Sequence, residues 1–140
     1  MKIRKLSPNF AVSDIRKTVQ FYCDVLGFKL VMAVPETQDG IDPVFSEQKQ
    51  YVYAVVANED VELMFEHTDT FMQDIPLPHP ENIGASVSFY MEVEEIEALY
   101  KEIRRKNVAT TELKTTWYGM REFYLQDNNG YILGFAEKAE

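Results

Sequence analysis

From residue 3 to residue 12 the chain alternates. Leu6, Phe10 and Val12 fall on one parity, and Lys5, Ser7, Asn9 and Ala11 on the other. A two-residue period predicts a half-buried strand. Pro8 lacks a backbone donor and marks an edge or a local irregularity. Ser13-Asp14 then offers a short acceptor side chain to the free amides of a helix start. Ile15, Val19, Tyr22 and Leu26 recur at helical spacing, and Gly27 suits the left-handed position that ends a helix. Residues 28 to 34 read as a second strand stopped by Pro35. Residues 36 to 49 carry Gly40, Pro43 and four acids with little periodicity, and read as a mobile loop. A third strand is expected over 51 to 57, a turn at Asn58-Glu59-Asp60, and a fourth strand over 61 to 66. In that fourth strand Val61, Leu63 and Phe65 share one face, and Glu62, Met64 and Glu66 the other.

Between His67 and Gly84 stand Pro76, Pro78 and Pro80, a spacing that favours an extended, stiff connector over a helix. Beyond it the pattern restarts. Val87, Phe89, Met91 and Val93 alternate with Ser86, Ser88, Tyr90 and Glu92. Ile96, Leu99, Tyr100 and Ile103 then give an amphipathic helix, with acids at its start and Arg104, Arg105 and Lys106 at its end. Asn107 can take the left-handed role of Gly27. A short strand is expected around 109 to 113, then a loop with Trp117 and Gly119. A hairpin follows, from 121 to 126 and 131 to 136, around Asp127-Asn128-Asn129-Gly130.

Composition narrows the classes. The chain has 140 residues, 46% hydrophobic and 26% charged, as a soluble globule does. A net charge of −9 repels phosphate backbones and anionic lipid, so neither nucleic acid nor a membrane surface is expected as a partner. The single Cys23 reads as packing. No apolar run approaches the ~20 residues of a bilayer span, and no leader pattern is legible. A cytoplasmic location is the expectation.

The order strand, helix, three strands occurs twice. Val12-Ser13-Asp14-Ile15 returns as Val93-Glu94-Glu95-Ile96, an offset of 81 residues. A duplicated module follows. Module 1 covers about 1–67, a connector about 68–83, and module 2 about 84–140, in one domain. The expected class is α+β: two βαβββ modules forming a curved mixed sheet with helices outside and a central cavity.

Three segments resemble the vicinal oxygen chelate superfamily of glyoxalases, extradiol dioxygenases, fosfomycin-resistance enzymes and bleomycin-resistance proteins. They are Phe10-Ala11-Val12-Ser13-Asp14-Ile15, the helix end from Phe21-Tyr22 to Leu26-Gly27-Phe28, and Asp127-Asn128-Asn129-Gly130-Tyr131-Ile132-Leu133-Gly134-Phe135. The resemblance covers nearly the whole chain. It implies the fold; the superfamily hosts unrelated chemistries. Its metalloenzymes hold a divalent ion with His or Gln, Glu, His and Glu. Carried over, those positions are Ser7, Glu62, Ser88 and Gly134. One carboxylate with two serines and a glycine is a poor ligand set for Zn, Ni or Fe, so no metal and no cofactor are expected. His67 and His79, beside or within the connector, read as exposed loop imidazoles.

If Leu6, Phe10, Val12, Val61, Leu63, Phe65, Val87, Phe89, Met91, Leu133 and Phe135 pack under the helices, the other parity faces the cavity. That set includes Ser7, Asn9, Glu62, Met64, Glu66, Ser88, Tyr90, Glu92, Glu122, Tyr124 and Gly134. Taken one by one, the glutamates fit the solvated face of a half-exposed sheet at least as well. Trp117-Tyr118-Gly119-Met120-Arg121-Glu122-Phe123 resembles the W-G-x-R-E-F loop that borders the groove of the bleomycin-resistance branch. Trp117 could equally be a core anchor. Aromatic planes beside carboxylates favour a flat cationic ligand, with Arg121 as the only legible cation nearby. The expected ligand-binding residues are Trp117, Tyr118, Glu122, Tyr124, Glu62, Met64, Glu66, Tyr90, Ser88, Ser7 and Asn9. The leading reading is a metal-free, homodimeric binding module of the antibiotic-resistance kind. A glyoxalase- or dioxygenase-like enzyme with an atypical metal set, and a lapsed domain acting only through protein contacts, are the rivals.

Overall fold

In the computed structural model, residues 1–77 and 87–140 are described. Pro78, His79, Pro80, Gly84 and Ser86 lie outside the described residues. The chain divides into two compact units, Met1–Leu77 and Pro78–Glu140. The class is α+β, with two four-stranded mixed sheets and three helices among the described residues.

Unit 1 runs β1 (Asn9–Val12), α1 (Ile15–Leu26), β2 (Lys29–Pro35), β3 (Tyr51–Asn58), β4 (Val61–His67) and α2 (Thr68–Asp74). Its sheet order is β1-β4-β3-β2, with β1 parallel to β4 and the other pairs antiparallel. Helix α1 begins and ends where local chemistry demands. Asp14 accepts from the Lys17 amide at 3.0 Å. Gly27 adopts φ 72°, and its N–H reaches back to the Cys23 carbonyl at 3.2 Å. The apolar stripe of α1 packs on the sheet through tilted and edge-to-face aromatic contacts. Tyr22 meets Phe65 at 4.8 Å, Phe28 at 5.7 Å and Phe10 at 6.4 Å between ring centroids.

Three expectations change here. The first strand is four residues long, because Pro8 cannot donate, although its carbonyl still accepts from Met64 at 2.9 Å. Leu6 therefore stands exposed, as do Val61 and Val87, rather than packing under the helices. The connector is helical from Thr68 to Asp74, since the prolines begin only at Pro76 and His67 Nδ1 accepts from the Asp69 amide at 3.2 Å. The segment 36–49 is tied down: Arg16 donates to the carbonyls of Ser46 and Lys49 and lies 5.0 Å from the Phe45 ring centroid, and Tyr51 donates to Asp42 at 2.7 Å. Tyr51 first and Lys49 second hold the Asp42 carboxyl below its ordinary range.

Unit 2 runs β5 (Ser88–Glu92), α3 (Ile96–Arg105), β6 (Lys114–Thr115), β7 (Met120–Gln126) and β8 (Ile132–Lys138), in sheet order β5-β8-β7-β6. Again the first strand is parallel to the last. Phe123, Leu125, Leu133 and Phe135 are buried with Ile96 and Ile103 of α3. The charges of α3 oppose its dipole as expected, with Glu97 in the first turn and Arg104 and Arg105 in the last, but no side chain at its start caps it: Glu95 is left-handed at φ 55° and makes no side-chain cap. Glu137 of β8 supplies the carboxylate instead, accepting from the amides of Glu95 at 2.7 Å and Ile96 at 3.3 Å. Asn107 takes the left-handed conformation at φ 62°. The strand expected at 109 to 113 is displaced to Lys114–Thr115, with only a bridge between Thr110 and Leu125 before it.

Candidate functional site

Alternation along β7 and β8 turns Phe123, Leu125, Leu133 and Phe135 toward the helix and leaves Glu122, Tyr124 and Gly134 on the opposite face of unit 2. Strand β5 brings Tyr90 to this face, paired in register with Gly134. The Tyr90 phenol donates to Glu122 Oε2 at 2.7 Å, and the Tyr118 phenol donates to Oε1 at 2.6 Å. Glu122 is only 5% exposed. Burial first, then Glu122, pushes the Tyr90 phenol far above its ordinary value and raises Tyr124 as well; for Tyr118 the hydrogen bond to Glu122 is the leading cause. Ser88 is exposed at the start of β5. Trp117 is 94% exposed and sits edge-on to Tyr118 at 5.3 Å, so it is no core anchor.

Gly134 is needed where it stands. A Cβ there would lie 2.6 Å from Tyr124 Cε1 and 3.3 Å from Tyr90 Cδ1. The two tyrosine rings occupy the space a side chain at 134 would take. Beside this wall, a groove of ≈ 360 Å³ runs past Thr110, Thr111, Tyr124 and Ile132.

Unit 1 presents a different cluster. Glu66 is 6% exposed and accepts from Asn9 Nδ2 at 2.9 Å. Burial first, then hydrogen bonding and charge from Asp74, raise its carboxyl above the ordinary range, against lowering by Asn9 and Thr70. Val34, Tyr53, Glu66, Thr70 and Asp74 line a cleft of ≈ 220 Å³. Tyr53, Thr70 and Asp74 are absent from the sequence-based set. Thr70 and Asp74 are four apart on α2, a spacing readable only once α2 is known to be a helix. Glu62 does not line this cleft, although its charge helps raise the Tyr53 phenol; Lys5 pairs with it at 2.8 Å. That pair adds a second cation to the expected one, and Arg121 is itself engaged by Glu97 at 3.3 Å. Ser7 precedes β1, and Met64 is half-buried on β4.

Register also corrects the carried-over metal positions. Asn9 pairs with Met64 and Phe10 with Phe65; Tyr90 pairs with Gly134 and Met91 with Phe135. With the repeat offset relating Asn9 to Tyr90, the counterpart of Gly134 is Met64, not Glu62. The set becomes Ser7, Met64, Ser88 and Gly134, which contains no carboxylate, imidazole or thiolate and does not fit a divalent ion. Among the described residues, no group of three His, Cys, Asp or Glu side chains is arranged to hold a metal. No described helix is long and apolar enough to cross a membrane.

Comparison with known proteins agrees with the fold. A family model for the Glyoxalase/Bleomycin resistance protein/Dioxygenase superfamily matches residues 6–135. The chain is 29% identical over 140 residues to a bleomycin resistance protein of Geobacillus stearothermophilus, and equally to one of Staphylococcus aureus, covering 94% of each chain. Among solved structures it resembles TnmS3, an antibiotic binding protein from Streptomyces sp. CB03234, with a TM-score of 0.70, 20% identity and 99% of both chains covered. TioX from Micromonospora sp. ML1 matches with a TM-score of 0.69 and 13% identity, over 96% of this chain and 98% of that one. At these identities the two structures speak for the fold.

Proposed function

The chain belongs to the Glyoxalase/Bleomycin resistance protein/Dioxygenase superfamily, and on that footing we propose that it sequesters a flat, cationic small molecule such as bleomycin, without metal and without chemical change. The observation that carries the reading is the state of position 134. The superfamily's metalloenzymes place their last glutamate ligand there. This chain has glycine, and tyrosine rings fill the space. A wall of Tyr90, Tyr118, Tyr124 and Trp117 backed by the buried Glu122 suits stacking on a flat cation. Similarity to bleomycin resistance proteins along 94% of the chain supports the same choice. In unit 1, Asn9, Glu66, Glu62, Met64 and Ser7 stand as ligand-contacting candidates in their own right, and Ser88 as one in unit 2.

We further propose a cytoplasmic homodimer. Ile3 and Leu6 of unit 1 are exposed apolar side chains that a second copy would cover. Sedimentation of the full chain tests this; a monomer at all concentrations would contradict it.

The test of the main reading is calorimetric titration of the chain with bleomycin, for the wild type and for Trp117→Ala. An aromatic contact with a cation is worth about 0.5–2 kcal/mol, so Trp117→Ala should weaken binding by about two- to thirtyfold while unfolding stays cooperative. Equal affinity for both proteins would remove Trp117 from the site. Tight, stoichiometric metal in protein purified without chelators would favour a glyoxalase- or dioxygenase-like enzyme instead.

A further inference from the structure

A phenol has one proton to give and two lone pairs to receive with. In unit 2, both exposed phenols have already spent the proton. Tyr118 gives its proton to one oxygen of Glu122 and Tyr90 gives its proton to the other, through short hydrogen bonds of 2.6 and 2.7 Å. Glu122 itself is 5% exposed, whereas Tyr90 is 46% and Tyr118 50% exposed. A ligand arriving at this face therefore meets the phenols and not the carboxylate. The direct ion pair expected of Glu122 from the sequence is replaced by something else.

We propose that Glu122 is a positioning residue that sets the hydrogen-bond polarity of the wall: by holding the protons of Tyr90 and Tyr118 inward, it makes both phenol oxygens acceptors only, so that the site selects flat ligands presenting N–H donors.

This rests on the ligand-binding reading above and names its chemical class: aromatic amidines, guanidines, ammonium groups and carboxamides. The buried charge reaches the ligand through the phenols, since a hydroxyl that donates to a carboxylate becomes a stronger acceptor. Both phenols hold their protons through the neutral range: partial desolvation and then Glu122 raise Tyr90, and the hydrogen bond to Glu122 is the leading cause for Tyr118. Thr116 makes a further hydrogen bond to Tyr118, which leaves Tyr90 with the freer oxygen. A glutamate that merely propped the rings would be replaced by glutamine without consequence for polarity. A glutamate that sets polarity would not. Glutamine keeps one acceptor oxygen but turns an NH2 group toward the other phenol, which must then accept and rotate its own proton outward.

The experiment titrates the full chain with three flat probes of one shape, 2-naphthamidine, 2-naphthamide and methyl 2-naphthoate, following the ring signals of Tyr90 and Tyr118 by nuclear magnetic resonance. The wild type should prefer the amide over the ester by about five- to tenfold, the amidine being tighter still. Glu122→Gln should bring amide and ester to within about twofold. Tyr90→Phe leaves the Tyr118–Glu122 bond intact and should weaken amidine and amide by about two- to fivefold while sparing the ester. Equal binding of amide and ester by the wild type, or an unchanged preference in Glu122→Gln, overturns the proposal. If the wild type binds bleomycin but shows no preference among the probes, polarity control falls and the binding reading stands. If it binds neither bleomycin nor any probe, both fall.

Discussion

The two units share a plan and differ in where they keep their acid. In each, the first strand runs parallel to the last, and aromatic residues fill the helix-facing side: Phe10 and Phe65, against Tyr22 of α1, in unit 1, and Phe123 and Phe135 in unit 2. On the opposite face the roles are exchanged. Unit 1 carries its buried carboxylate on β4, as Glu66, opposite Tyr53 of β3. Unit 2 carries its own on β7, as Glu122, opposite Ala136 of β8. The first-strand residue follows the acid in both: Asn9 donates to Glu66, and Tyr90 donates to Glu122. Duplication has kept the packing side, where a change of one methylene is felt, and diversified the face that packing does not constrain. The same division explains Met64 and Gly134. They are register counterparts, yet the second had to lose its side chain to admit two tyrosine rings.

If the cores are equivalent, their largest residues should cost the same to remove. Phe65→Ala and Phe135→Ala, both buried, should each lower stability by about 3–5 kcal/mol in chemical denaturation. A cost below about 1 kcal/mol for either would break the equivalence. The faces should respond unequally. Gly134→Ala drives a methyl group into the Tyr124 ring and should cost about 1–3 kcal/mol while shifting the Tyr90 and Tyr124 ring signals. Met64→Ala removes atoms from a half-buried position instead of adding a clash, and should cost less in the same assay. The helix starts sharpen the contrast at smaller scale. Asp14→Ala removes a local cap and Glu137→Ala a distant one, and each should cost about 1 kcal/mol. Only the second should lose the tie between β8 and α3, seen as faster amide exchange at Glu95 and Ile96.

The smallest effect concerns pH. A carboxyl raised in the folded protein binds its proton more tightly there than in the unfolded chain. Its stabilising contribution is therefore full below the ordinary glutamate range and fades as pH rises through the raised value. Glu66 is of this kind. Unit 1 should lose stability in mildly acidic conditions as pH rises, and Glu66→Gln should flatten that slope. An identical slope in the variant would show that Glu66 does not carry it.

Much of this was legible in the residue order, and the failures share one cause. Asp14, the apolar stripe from Ile15 to Leu26, and Gly27 are local signals, and α1 formed between them as expected. Strand parity placed Glu122 and Tyr124 on one face of unit 2, and Tyr90 joined them there through β5. Parity alone cannot say that both oxygens of Glu122 are already taken, because that depends on where the Tyr90 and Tyr118 side chains end. Met64 was missed as the counterpart of Gly134 because the β1–β4 register is a contact between distant segments, and counting along one strand slips by two without breaking parity. Helix α2 buries no side chain, so it left no apolar period to find, and the prolines beyond it drew the whole segment into an extended reading. The capping of α3 by Glu137, from a strand that follows it by some thirty residues, has no local signal at all.

We propose that the tyrosine face of unit 2 binds a flat cation through aromatic and acceptor groups with no metal between them. Calorimetric titration of the full chain with metal-free bleomycin, in a buffer containing a strong chelator, tests it most directly. Saturable binding is expected in the chelator, unchanged when a divalent ion replaces it and weakened by Trp117→Ala. Binding that develops only when Zn, Ni, Mn or Fe(II) is supplied would contradict it.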